Sequence, residues 1–315
     1  MGIMQLLNQS VEATSTLGNQ PLCQDPCADH MLRSGGYCKL LSEFQQWDQD
    51  AVAAAVAKLQ ADMAFVPAGS VHIQNVIADG QASDGSGFDA SVEPFFIDRY
   101  AVTNAQYRRF VDAEAYREPS YWPLEIQPYV FRFVDTTEKP GPATWVDGNY
   151  DPNLRDHPVV GISWHEANAY ANWIGKRLPT SPQWQHSCSW WDPNARYTWG
   201  SSFEHNRANT YSAMRGGTAS VKDYESAATP NGIVQLIGNV WEWVDAYLSE
   251  VELDGHMAEM EQPLGEVRGG AYDTYLNSQA TSRFRSGRDI LSRSKNVGFR
   301  CVVSASLLAA VPTEN

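Results

Sequence analysis

The sequence predicts an α+β fold poor in regular secondary structure. Helical patterns fall early in the chain and short strand-like runs fall late, the order of an α+β domain and not of a βαβ alternation. Residues 116–150 are rich in Pro and Trp and keep no period, so they form one long loop. Eleven Trp and fourteen Tyr are spread through such loop-like sequence. Their rings hold irregular chain down; stacking on carbohydrate or nucleic acid is the rarer use of such residues. A hydrophobic share of 43% and a charged share of 19% suit a globular protein with a real core. With a formal net charge of -14, DNA or RNA is excluded as main partner, because phosphate neutralisation needs a basic face.

Residues 1–63 form an arm and a linking helix. The opening run MGIMQLLNQSVEATSTLGN has no basic region and no long apolar core, which predicts no signal peptide, and Leu6 stands where a myristoylation signal wants Ser or Thr. No window approaches the roughly 20 apolar residues of a membrane span. Together these predict a soluble, cytoplasmic protein. The cysteines number five and sit at 23, 27, 38, 188 and 301, which is not a secreted disulfide framework. Cys23, Cys27, His30 and Cys38 are spaced C-x3-C-x2-H-x7-C. Two readings stand here: soft ligands closing around zinc or iron if the intervening SGG turn folds back, or a thiol-bearing arm packed on the main body. The run DQDAVAAAVAKLQADM at 48–63 is the clearest helix, with Asp48 as N-cap and Val52, Val56, Leu59 and Met63 at helical spacing.

The main domain, residues 64–304, opens with FVPAGSVHI, a strand broken by a Pro-Ala-Gly turn, and a Gly/Asp/Ser loop over 78–90. Phe95, Phe96 and Ile97 then make a strand; Thr103 or Asn104 caps a helix whose Tyr107, Phe110 and Val111 face the core. After the long loop comes a helix over about 164–174 ended by Gly175, and a second capped start at Thr180 or Ser181 with Pro182 in its first turn. Residues 197–200 and 234–243 are short strand-like pieces, and residues 305–315 are a tail.

Charge is uneven. Residues 267–301 carry Arg268, Arg283, Arg285, Arg288, Arg293, Lys295 and Arg300 against Asp273 and Asp289 only. The preceding loop, 250–266, holds six acids and no Lys or Arg. Adjacent opposite blocks pair, so one reading has Arg283, Arg285 and Arg288 neutralising that loop.

Six motifs, in order, carry a resemblance: VPAG at 66–69, FFIDRYAVTNAQYRRFV at 95–111, HPVVGISWHEANAYANWIGKRLPTSPQW at 157–184, NGIVQLIGNVWEW at 231–243, VRGGAY at 267–272 and NVGFR at 296–300. Together they resemble the formylglycine-generating enzyme (sulfatase-modifying factor) family, which includes the C-terminal halves of ergothioneine-type sulfoxide synthases and the retroelement variable proteins. The resemblance implies a C-type-lectin-like formylglycine-generating-enzyme fold with low secondary-structure content. In the active enzymes a cysteine pair shortly after this glycine motif binds copper(I). Residues 271–285 contain no cysteine, and soft thiolates are what select Cu(I), so no copper is expected. The resemblance also implies a calcium site at Gln235, Gly238, Val240 and Glu242; the plainer reading is that Glu242 pairs with an arginine of the basic stretch. A second calcium position starts at Asn209 but meets Ala213 and Met214 where an acid is wanted. Iron of the sulfoxide-synthase kind needs three histidines on an N-terminal bundle, and residues 1–63 hold only His30.

Two functions remain. One is a binding or assembly module for a protein or small-molecule ligand, displaying Tyr272, Asp273, Tyr275, Asn277 and Gln279 on a rigid scaffold, since Tyr supplies contact area at low entropic cost. The other is a non-copper, metal-dependent oxidoreductase or tailoring enzyme with a groove at Tyr272, Asp273, Arg283 and Arg285.

Overall fold

A computed structural model describes residues 61–76, 82–253 and 256–305. The Cys23, Cys27, His30 and Cys38 set, most of the 48–63 helix and nearly all of the tail lie outside these residues. Met63, expected to end that helix, instead begins strand β1 (Met63–Val66).

The expected break at Pro67 separates β1 from β2 (Gly69–Val76). The expected loop over 78–90 is corrected: β3 (Ala82–Val92) runs antiparallel to β2, with Gly69 opposite Val92 and Gln74 opposite Gly87. Its Gly, Asp and Ser are poor strand formers, and an adjacent partner overrides propensity. β4 (Phe95–Asp98), fully buried, lies between β1 and the last strand, β9 (Val302–Ser304), so the two ends of the domain share one sheet.

Three helices follow, each opened by a reciprocal capping box: α1 (Asn104–Asp112) by Thr103 and Gln106, α2 (Trp164–Trp173) by Ser163 and Glu166, α3 (Ser181–Ser189) by Thr180 and Gln183. α1 buries Tyr107 and Phe110, while Val111 is only partly buried. Gly175, at φ +67°, follows the end of α2 as expected. The long loop contains only short 3-10 turns before residue 133, and its rings do hold it down. The Trp122 indole donates to the Ala115 carbonyl, that of Trp145 donates to Asn104, and Trp122 stacks on Phe133.

A four-stranded sheet has the order β7 (Arg285–Arg288), β6 (His256–Arg268), β5 (Trp241–Leu253), β8 (Val297–Phe299), antiparallel except for the parallel pair β5 and β8. The acid-rich loop expected over 250–266 is therefore corrected to part of a hairpin. Residues 234–240 are not strand either: Gln235, Gly238 and Asn239 adopt positive φ, and pairing begins at Trp241. Tyr197 and Gly200 form only an isolated bridge closing a turn. No helix among the described residues is long and apolar enough to cross a membrane.

Buried ion pairs join these layers. Glu242 on β5 is fully buried and meets Arg300 through Nε and Nη2, at 2.7 Å for the closest contact. The Arg300 guanidinium also donates to the carbonyls of Asp98, Arg99 and Val234. Glu166 takes Arg293 at 2.8 Å while capping α2, and Glu266 takes both Arg268 and Arg285. Burial pushes the Arg268 guanidinium down to about 10, opposed by Glu266. The basic stretch is thus satisfied largely by scattered glutamates, and Glu266 is the only acid of the 250–266 run that serves it among the described ion pairs.

Removing one partner of such a pair leaves a buried uncompensated charge, at a cost of about 3–5 kcal/mol. Glu242→Ala is expected to lower unfolding free energy by that amount in urea titration, and the double change Glu242→Leu with Arg300→Met by clearly less than the sum of the singles. Additive losses would contradict the pairing. Burial also holds His157, His165 and His186 below the usual histidine range. The unfolded chain therefore takes protons first, so the stability that the neutral rings contribute is present above about pH 6.5 and is lost as pH falls toward the folded values. Thermal denaturation is expected to show a lower midpoint at about pH 5 than at about pH 7, with part of the slope removed in His165→Phe.

Candidate binding face

The segment following β6 is aimed by two glycines. Gly269 and Gly270 have φ of +93° and +79°, and a Cβ on Gly269 would lie 2.4 Å from the Leu236 carbonyl oxygen. No L side chain fits that close approach, which lets the chain turn out of the sheet over residues 236–239. Its base is then pinned. Tyr272 N–H donates to the Asn239 carbonyl, Ala271 N–H to Thr274 Oγ1, and Tyr211 N–H to the Thr274 carbonyl.

Beyond that base the side chains divide. Tyr272 is nearly buried, and its hydroxyl is pushed up by burial and then by Asp273. Asp273 is exposed, and both its oxygens accept from Asn296 Nδ2 at 3.0 Å. Tyr275 is 73% exposed and packs edge-on against Tyr211, with ring centroids 5.3 Å apart. Leu276 and Met214 are exposed as well. Asn277 and Gln279 are partly exposed, their backbones closing a turn with Ala280 and Leu276. The five expected residues therefore lie on one pinned segment, with Asp273 and Tyr275 exposed, Asn277 and Gln279 partly so, and Tyr272 turned inward. Arg285 is not part of that display, because its guanidinium is spent on Glu266 and the Gln74 carbonyl. Arg283 donates to the Pro193 carbonyl.

Sequence reasoning missed Tyr211, Met214 and Asn296 as members of the face. Asn296 stood in the NVGFR motif and carried a signal; Tyr211 lies more than 60 residues from Tyr275, and nothing local announces their contact.

The residues implied for calcium do not fit a divalent ion. Each Glu242 oxygen already accepts two donors from Arg300 and the Trp184 indole. Gln235 gives its amide N–H groups to the Ser220 and Asp223 carbonyls, and its oxygen accepts from Asn239. The Gly238 carbonyl accepts from Val240 N–H. Pairing of Glu242 with an arginine is the reading that the geometry matches. At Asn209 the side-chain oxygen is buried with no donor, but Ala213 and Met214 supply no acid. Among the described residues the cysteines are Cys188 and Cys301, both buried, and burial pushes both thiols well up, away from the thiolate that binds copper. No group of three or more His, Cys, Asp or Glu placed to hold a metal occurs among the described residues.

Residues 49–305 match the model of the sulfatase-modifying factor enzyme 1-like domain. The chain is 28% identical to the inactive C-alpha-formylglycine-generating enzyme 2 of Mus musculus, over 77% of this chain and 86% of that protein. It is 29% identical to the formylglycine-generating enzyme of Streptomyces coelicolor, over 79% and 91%. Among solved structures, PvdO from Pseudomonas aeruginosa superposes with a TM-score of 0.50 at 21% identity, covering 76% of this chain and 93% of that one, a likeness of fold. The chain belongs to the sulfatase-modifying factor enzyme 1-like family.

Proposed function

We propose that this chain is a binding or assembly module of its family, using the 271–285 region to contact a protein or small-molecule ligand instead of oxidising a cysteine. One observation carries the reading: where the active relatives are expected to present copper-binding thiols, this chain presents an exposed Tyr275 and Leu276, buttressed by Tyr211 and bordered by Asp273. Rigid aromatic side chains on a pinned backbone give contact area with little entropy to lose. Similarity to a relative named inactive agrees with it.

The test compares the wild-type chain with a Tyr275→Ala, Leu276→Ser variant, purified from the native host. The expected outcome is a stoichiometric partner or ligand retained by the wild type and lost from the variant at unchanged melting temperature, with neither protein oxidising a sulfatase-type cysteine peptide in the presence of copper and oxygen. Turnover of that peptide overturns the reading.

A further inference from the structure

Residues 214–223 lie between two short 3-10 turns, Tyr211–Ala213 and Glu225–Ala227, and no strand pairs with them. Their backbone is answered instead by three side-chain carboxamides, those of Asn209, Gln235 and Asn239, all buried. Asn239 faces Ala219 as a neighbouring strand would: Ala219 N–H donates to its Oδ1 at 2.7 Å, and its Nδ2 donates back to the Ala219 carbonyl at 3.1 Å. Gln235 Nε2 donates to the Ser220 and Asp223 carbonyls, and its Oε1 accepts from Asn239 Nδ2 at 2.6 Å. Asn209 Nδ2 donates to the Gly217 carbonyl and to Asn239 Oδ1.

The backbone sets the direction of each amide. A carbonyl can only accept and an N–H can only donate, so Gln235 turns its Nε2 to Ser220 and Asp223, and Asn239 turns its oxygen to Ala219 N–H. The relay also holds two residues in the left-handed region, Gln235 at φ +55° and Asn239 at φ +68°. Asn tolerates that conformation better than Gln does, and the Gln235 amide, tied through both its nitrogen and its oxygen, keeps the residue there.

These are the segments where the resemblance implies two calcium sites, one at Gln235 and one starting at Asn209. Calcium takes roughly six to eight converging oxygens. Here the carbonyls of Gly217, Ala219, Ser220 and Asp223 each accept an amide N–H, so hydrogen-bond donors stand where a cation would draw its oxygens. Asn209 Oδ1 alone is left without a donor, and a single neutral oxygen does not hold a divalent ion.

We propose that this amide relay takes the place of calcium. It fastens residues 217–223 to the turn at 235–239, so the Tyr211 and Met214 part of the binding face, displayed between Asn209 and Gly217, is assembled without a metal ion. The relay does this whether or not the face takes a partner.

The test is amide hydrogen exchange of the full chain, read by mass spectrometry on peptides covering 217–224 and 241–247. It is run in excess EGTA and in about 1 mM calcium, enough to fill even weak protein sites. The expected result is the same exchange of 217–224 in both buffers. In Gln235→Ala and Asn239→Ala that peptide is expected to exchange at least about tenfold faster, while 241–247 keeps its protection. Slower exchange of 217–224 in calcium than in EGTA, or unchanged exchange in both variants, overturns the relay. Should Asn239→Ala lose protection in 241–247 as well, Gln235→Ala decides, because it leaves the pair of Asn239 with Ala219 in place. Failure of the relay in this test leaves the comparison at Tyr275 and Leu276 standing.

Discussion

The structure depends on guanidinium groups from the end of the chain finding carboxylates buried elsewhere. Arg300 closes on Glu242 and bonds three carbonyls from two further segments; Arg293 closes on the glutamate that caps α2; Arg268 and Arg285 close on Glu266. A fold with few regular elements has few ladders to fix its loops relative to one another. Arg268, Arg293 and Arg300 each also satisfy two or three backbone carbonyls, as water or regular structure would otherwise have to. The same arrangement explains why Glu242 serves as an anion for an internal cation.

What was legible in the sequence were the features whose signal is local. Thr103, Ser163 and Thr180 each stand three residues before Gln or Glu, and each opens a helix by the reciprocal bond that this spacing allows. The motifs gave the family and fold. β3 was not legible, because nothing in ASDGSGFDASV favours a strand until β2 lies beside it. The acid-rich hairpin was hidden in the same way, since six acids outweigh the alternation that strand pairing needs. The arginine partners were out of reach, for Arg293 and Glu166 are 127 residues apart. Composition singles out 272–279 as a displayed segment, and Asp273 and Tyr275 are exposed there, but composition does not say that Tyr272 turns inward, nor does charge say that Arg285 is already taken by Glu266.

The face then follows from the scaffold. Two glycines at positive φ lift the chain off the sheet, and three backbone or hydroxyl bonds hold its base. Rigidity below and exposure above are what recognition asks of a loop. Catalysis by thiolate and copper asks for an accessible, easily ionised sulfur, and burial denies that to both described cysteines.

The central claim is that this domain has kept the family scaffold and given up its copper chemistry. It is tested most directly by titrating Cu(I) against a chromophoric chelator, using the chain with Cys23, Cys27 and Cys38 replaced by serine so that the N-terminal thiols cannot contribute. The account predicts that the chelator keeps all of the copper. One equivalent of Cu(I) retained by that variant would contradict it.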